Sequence, residues 1–195
     1  MRGSLSRQSR DAKPTVTEDP STFDILMVAD LSRQGDPALR VRRELQVLAG
    51  AGYSCGLCHV PENEGRTIAA EVQRAVAEGL GHPVLDRRPV AARLAIVQSP
   101  GHFRRLPIER LAPIRADRVV LVIDRPPGPE QMGFWFSFAF GPMTWAPTNR
   151  RVRERLEAMA LPVPLSPEDW RAVAAPVGTR PATAPRRLRP VLGRV

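Results

Sequence analysis

The order of apolar and polar positions divides the chain into short apolar runs separated by amphipathic stretches. Phe23 to Ala29 is a short apolar run, the pattern of a strand buried on both faces. A polar loop follows from Asp30 to Asp36, with Gly35 as its one glycine. Asp36 stands where an N-cap belongs, and Pro37 at the first helical position. Ala38, Val41, Leu45 and Leu48 then recur at helical spacing, and Gly50 and Gly52 supply a stop. A strand, a ligand-sized loop and a helix make the opening half of a parallel βαβ unit.

The same reading continues downstream. Tyr53 to Val60 is a second strand, ended by Pro61, and Thr67 caps a helix through about Glu78 with Ile68, Val72, Ala75 and Val76 on one face. Pro83 to Leu85 makes a short third strand, and residues 93–99 a fourth, broken by Pro100-Gly101. Phe103 to Leu111 is a poor helix interrupted by Pro107. Arg118 to Ile123 is a fifth strand, and Asp124 to Pro129 an irregular loop. Met143 to Trp145 is a brief last strand, after which Thr148 caps a helix with Val152, Leu156 and Met159 on its apolar side. Ser166 to Trp170 opens a short helix with Asp169 near the capping-box position.

Strands alternating with helices give an α/β class: a Rossmann-like open, mostly parallel sheet with flanking helices. In such sheets ligands bind outside the carboxyl ends of the strands, where the strand order reverses. With the usual order the reversal falls between the first and fourth strands. Their following loops place Asp30, Arg33, His102, Arg104 and Arg105 around one crevice. Gly35 and Asp36 belong to the first of these loops, and the loop carrying Asp124 and Arg125 lies alongside.

Composition narrows the partners. The net charge of +9 invites nucleic acid, but residues 1–13 carry net +3 and residues 178–195 net +5, which leaves +1 for the body. A nucleic-acid domain carries its basic footprint on a folded face, so this distribution argues against one. Solubilising ends or weak contact with an anionic membrane fit it better. No apolar run reaches the roughly 18 residues of a membrane span. Residues 1–22 are polar and lack the apolar centre of a signal peptide, so a disordered leader on a cytoplasmic protein is expected. Residues 23–174 form the domain, and residues 175–195, rich in Pro and Arg, have the composition of a linker.

Several motifs have plain structural readings beside their chemical ones. The first loop lacks the three glycines of a dinucleotide fingerprint, and the chain has no phosphate-binding P-loop. Cys55-Gly-Leu-Cys58-His59 spells the c-type haem attachment string. It lies in an expected strand, however, where the two thiols point to opposite faces, so buried free cysteines are expected. Three histidines and two cysteines do not assemble a zinc set, and no metal site is expected. Gly133 to Gly141 holds Phe134, Trp135, Phe136, Phe138 and Phe140, a core segment or alternatively a docking face.

Taken in order, these segments resemble the N-terminal half of a GT-B fold glycosyltransferase of the retaining, family-4-like bacterial kind. ILMVADLSRQGDPALRVRRELQVLAGAG is similar to that family's opening strand, loop and helix, and RVVLVIDRPP to a later strand and Pro-rich turn. MTWAPTNRRVRERL resembles a "WAP…vR..L" segment, LSPEDWRAV a following "DW" segment, and RPVLGRV the start of the "iGRHSR" strand that opens the second domain. The resemblance implies an acceptor-binding domain whose partners are a sugar or glycolipid acceptor and a C-terminal GT-B domain. That second domain holds the nucleotide-sugar donor, so this domain binds no cofactor itself and, taken alone, is inactive. The catalytic residues are left unassigned. The alternative is a stand-alone α/β interaction module without catalytic activity.

Overall fold

A computed structural model describes residues 21–62, 65–84, 88–102, 113–135 and 140–171. Six strands, β1 (Ser21–Ala29), β2 (Cys55–His59), β3 (His82–Pro83), β4 (Val90–Gln98), β5 (Ile114–Ile123) and β6 (Met143–Pro147), form one all-parallel sheet in the order β3-β2-β1-β4-β5-β6. Among the described residues four helices accompany them: α1 (Asp36–Gly50), α2 (Ala70–Ala77), α3 (Pro129–Trp135) and α4 (Arg150–Ala158). This is the α/β Rossmann-like open sheet expected from the apolar pattern, with the reversal of strand order between β1 and β4.

Alternation along each strand sends side chains to two cores. Ile25, Met27, Cys55, Leu57, Ile96 and Val122 meet Val41 and Leu45 of α1 and Val72 and Ala75 of α2 on one face. Leu26, Val28, Cys58, Val97, Leu121 and Ile123 meet Trp135 of α3 and Val152 and Leu156 of α4 on the other. Burial on both faces explains why the strands read as nearly unbroken apolar runs. Trp135 and Trp145 are both fully buried and pack edge-to-face at 5.4 Å, a favoured aromatic arrangement. Within the aromatic segment, Trp135 is therefore core and Phe140 packs against it half-buried. The side chains of Phe134, Phe136 and Phe138 lie outside the described residues.

Polar groups set the register at the amino ends of the strands. Asp24 Oδ2 accepts from Ser54 N–H (2.9 Å) and Ser54 Oγ (2.8 Å), while Asp24 N–H donates to Ser54 Oγ at 2.9 Å. These bonds, the one from the Ser54 amide above all, pull the Asp24 carboxyl below its ordinary value, with help from Arg93. Gly56 is required by close approach, because a Cβ there would sit 2.7 Å from the Phe23 ring.

The structure differs from the sequence reading at element ends. Strand β1 starts at Ser21, pairing Ser21 with Val90 and Thr22 with Ala91, so these two residues are sheet and not leader. The N-cap of α1 is Gly35, at φ 75°, with Asp36 as the first helical residue and no side-chain cap bond. A left-handed turn there favours glycine, which displaces Asp36 by one position. Helix α2 starts at Ala70, because the Ala69 N–H donates to Leu31 O (2.8 Å) and holds residues 67–69 out of the helix. Asn149, and not Thr148, caps α4, its Oδ1 accepting from Val152 N–H at 3.0 Å.

Residues 166–170 form no helix. The Leu-Pro-Val-Pro-Leu stretch before them stays extended, and Trp145 N–H donates to Pro164 O (2.9 Å) while Ser166 N–H donates to Trp145 O (2.7 Å). Prolines lack the donor a helix needs but tolerate an edge position. Asp169 pairs with Arg153 at 2.7 Å instead of capping. The expected helix at Phe103 to Leu111, the leader 1–20 and the segment 175–195 lie outside the described residues. Among those described, no helix is long and apolar enough to cross a membrane.

Cys55 and Cys58 lie on opposite faces of the sheet, both buried, and burial raises each thiol to about 11. That separation rules out a bond between them and a shared haem. Native protein at pH 8 should therefore resist a thiol reagent such as DTNB, while the urea-unfolded chain releases two equivalents. A fast-reacting thiol in the native protein would contradict this placement.

Candidate functional site

The carboxyl ends of β1 and β4 meet α1 at a small cavity. It has a volume of about 70 Å³ and is lined by Asp30, Leu31, Arg33, Arg40, Gln98 and Ser99, with Ala38, Val41 and Val72 behind. A polar groove of about 540 Å³ adjoins it, lined by Ser32, Arg33, Gln34, Gly65, Arg66 and Thr67. Arg33 borders both spaces. The site lies at the strand-order reversal, where an open α/β sheet offers its crevice.

Hydrogen bonds fix the β1 loop that forms one wall. Asp30 is buried, and its Oδ1 accepts from the Ser32 amide (3.0 Å) and hydroxyl (2.6 Å). Its Oδ2 accepts from the Glu62 amide at 3.2 Å. Asp30 thus joins the β1 loop to the β2 loop, a positioning role. His59 makes a second tie: Nδ1 accepts from Leu31 N–H at 3.1 Å, which leaves the proton on Nε2 to donate to Arg66 O at 3.3 Å. With the Ala69–Leu31 bond, three contacts clamp the loop that carries Arg33 to the loop that carries Arg66.

Behind the cavity, α1 and β4 share a buried polar contact. Gln98 Nε2 donates to Glu44 Oε2 at 2.6 Å, and Arg40 Nε donates to Glu44 Oε1 at 3.3 Å. Glu44 is 4% exposed. Desolvation raises its carboxyl above the ordinary value of 4.5, and Arg40 opposes that shift. Arg40 Nη2 is buried without a partner. Ser99 adopts φ 48°, a left-handed backbone uncommon for a residue with a Cβ.

The structure brings together some of the expected site residues and not others. Asp30 and Arg33 line the cavity. Gly35 and Asp36 are exposed at the start of α1 and line neither space. Asp124 and Arg125 follow β5 alongside, with the Arg125 stem 3.6 Å from where a Cβ on Gly101 would stand. Gln131 bridges these neighbouring loops, accepting from Gly128 N–H (2.9 Å) and donating to Gly101 O (3.3 Å). The backbone of His102 belongs to a 3-10 turn, Pro100–His102, while its side chain, Arg104 and Arg105 lie outside the described residues. Among the described residues no cluster of His, Cys, Asp or Glu could hold a metal.

Arg40, Gln98, Arg66 and Thr67 were not singled out from the sequence. Gln98 carried a signal, a polar residue closing an otherwise apolar strand. Glu44 and Arg40 carried another, since both sit beside the apolar stripe of α1. Arg66 and Thr67 carried none, because only the fold sets the β2 loop against the β1 loop.

Glu44 gives a pH test. Its raised value means that it contributes stability fully below pH 4.5, which is lost as pH rises through its folded-state value. The lowered Asp24 acts oppositely and below pH 3.8. Glu44→Gln removes the first effect, so relative to wild type its urea midpoint should rise as pH increases from 4.5 toward 7. Parallel curves for the two proteins would contradict the buried, desolvated carboxyl.

No protein-family model matches this chain, and no curated protein or solved structure is significantly similar to it.

Proposed function

We propose that this chain is the acceptor-side, Rossmann-like domain of a nucleotide-sugar-dependent glycosyltransferase, with the groove around Arg33 holding the acceptor. The observation that carries the reading is the open polar groove between the β1 and β2 loops, beside the strand-order reversal, lined by hydroxyl, amide and guanidinium groups. Its 540 Å³ falls within the usual size range of small-molecule sites. Thr67 and Gln34 offer both donors and acceptors, the pairing that sugar hydroxyls require, and the Ser32 hydroxyl, whose proton goes to Asp30, adds an acceptor. The β1 loop has Gly35 as its one glycine, so it lacks the backbone approach by which a dinucleotide fingerprint cradles pyrophosphate.

On this reading the groove is one wall of a cleft. A second domain supplies the donor site and the positive groups that stabilise a departing nucleoside diphosphate. Of the glycosyltransferase-like segments, the first supplies β1, its loop and α1, which line the groove and the inner cavity, while the segments at β5 and at β6 with α4 belong to the other half of the sheet. The domain alone therefore binds an acceptor without transferring sugar to it.

One observation favours the alternative, a stand-alone interaction module. A groove of about 770 Å³ crosses the sheet face over β4, β5 and β6, lined by Leu94, Val120, Thr144 and Trp170, with Tyr53 exposed at its margin. Asp24, Arg93, Asp117 and Arg118 also line it, and it lies apart from the crevice beside Arg33.

Calorimetric titration with a panel of mono- and disaccharides, beside UDP-glucose and GDP-mannose, separates these readings. The expected result is saccharide binding at roughly millimolar Kd, a level worth about 4 kcal/mol, and no nucleotide-sugar binding. Nucleotide-sugar binding without saccharide binding, or turnover by the chain alone, would contradict the acceptor-side assignment.

A further inference from the structure

We infer that the acceptor carries an oxyanion, a carboxylate or phosphate, that seats against Arg40 in the inner cavity while its hydroxyls occupy the outer groove. This deepens the acceptor reading of the groove and rests on it.

The inner cavity is built for a small charged group. Its 70 Å³ equals about two waters at roughly 30 Å³ each, room for a carboxylate or phosphate but not a sugar ring. Arg40 Nε is held by Glu44, and its Nη2, buried and unpartnered, belongs to the same cavity-lining side chain. A guanidinium presents its donors in a fixed fork matched to two oxyanion oxygens. Arg33 stands at the junction of cavity and groove, and Arg66 lines the groove beyond it.

The nearby carboxylates leave part of this donor capacity unused. Asp30 spends both oxygens on the Ser32 and Glu62 bonds. Glu44 meets Gln98 with one oxygen and Arg40 Nε with the other, which leaves Nη2 unmatched. What remains open to a ligand is donor capacity: Arg40 Nη2 has no partner, and Arg33 and Arg66 stand at the same opening, so an oxyanion gains charge-assisted hydrogen bonds that an uncharged sugar does not.

The test is an NMR titration of the full chain with glucose, glucuronate and glucose 6-phosphate, and with acetate and inorganic phosphate. Glucuronate or glucose 6-phosphate should bind at least about tenfold tighter than glucose, and the tighter of the two identifies the oxyanion. That advantage should shrink in 0.5 M salt, since the contact is with charge. Arg33→Gln, at a half-buried position, should lose about tenfold for the anionic sugars and little for glucose. Arg40→Lys keeps a cation beside Glu44 but removes Nη2, and should lose the same advantage with the melting temperature nearly unchanged.

Equal affinity for all three sugars would overturn the oxyanion inference and leave the acceptor reading standing. Arg33-dependent binding of acetate or phosphate with no sugar bound would keep the oxyanion seat and overturn the acceptor reading. No binding by any of the five would overturn both.

Discussion

The parallel pairing of β1 with β4 is the constraint on which the site depends. Seven residue pairs join the strands, from Ser21 with Val90 to Val28 with Val97. From β1 the chain proceeds outward through β2 and β3, and from β4 outward through β5 and β6. The segments that follow β1 and β4 therefore leave the sheet in opposite directions, and a crevice opens between them. Everything proposed for this protein lies in or beside that gap: Asp30 and Arg33 after β1, Gln98 and Ser99 at the end of β4, and the first turns of α1 above.

The gap would be of little use if its walls moved. Side-chain and backbone bonds from Asp30, His59 and Leu31 secure the β1 loop to the β2 loop. The Glu44–Gln98 bond fixes α1 to β4 through a buried carboxylate. Such a group is costly to ionise away from water, and it is tolerated here because both oxygens have donors. The consequence is a preorganised set of guanidinium and amide groups with unused hydrogen-bonding capacity facing the opening, the condition for binding a polar ligand without a large ordering cost.

Much of the fold was legible because a sheet buried on both faces writes itself as apolar runs. Ile25–Ala29 and Val119–Ile123 could hardly be anything else. Where strands leave the core the signal fades: Arg115 and Asp117 are exposed, so Ile114 to Asp117, the start of β5, does not read as strand. Helix caps lie one or two residues from their expected positions because backbone geometry decides them, the Leu31 carbonyl at α2 and the positive φ of Gly35 at α1. The stretch after α4 looked like a capped helix, yet its prolines and the open edge of β6 kept it extended. The site was half legible. The topological argument located the crevice and named Asp30 and Arg33, whereas Arg66 arrives from a loop 33 positions further along the chain and needed the fold to reveal it.

The most direct measurement is a map of backbone amide shifts in the full chain during titration with an anionic saccharide such as glucuronate. The account predicts that perturbations concentrate at Leu31–Arg33, Gly65–Thr67 and Ser99, the three segments that enclose the crevice. Perturbations centred on Leu94, Val120 and Trp170, or spread evenly over the surface, would contradict the claim that the gap between β1 and β4 is where this protein meets its ligand.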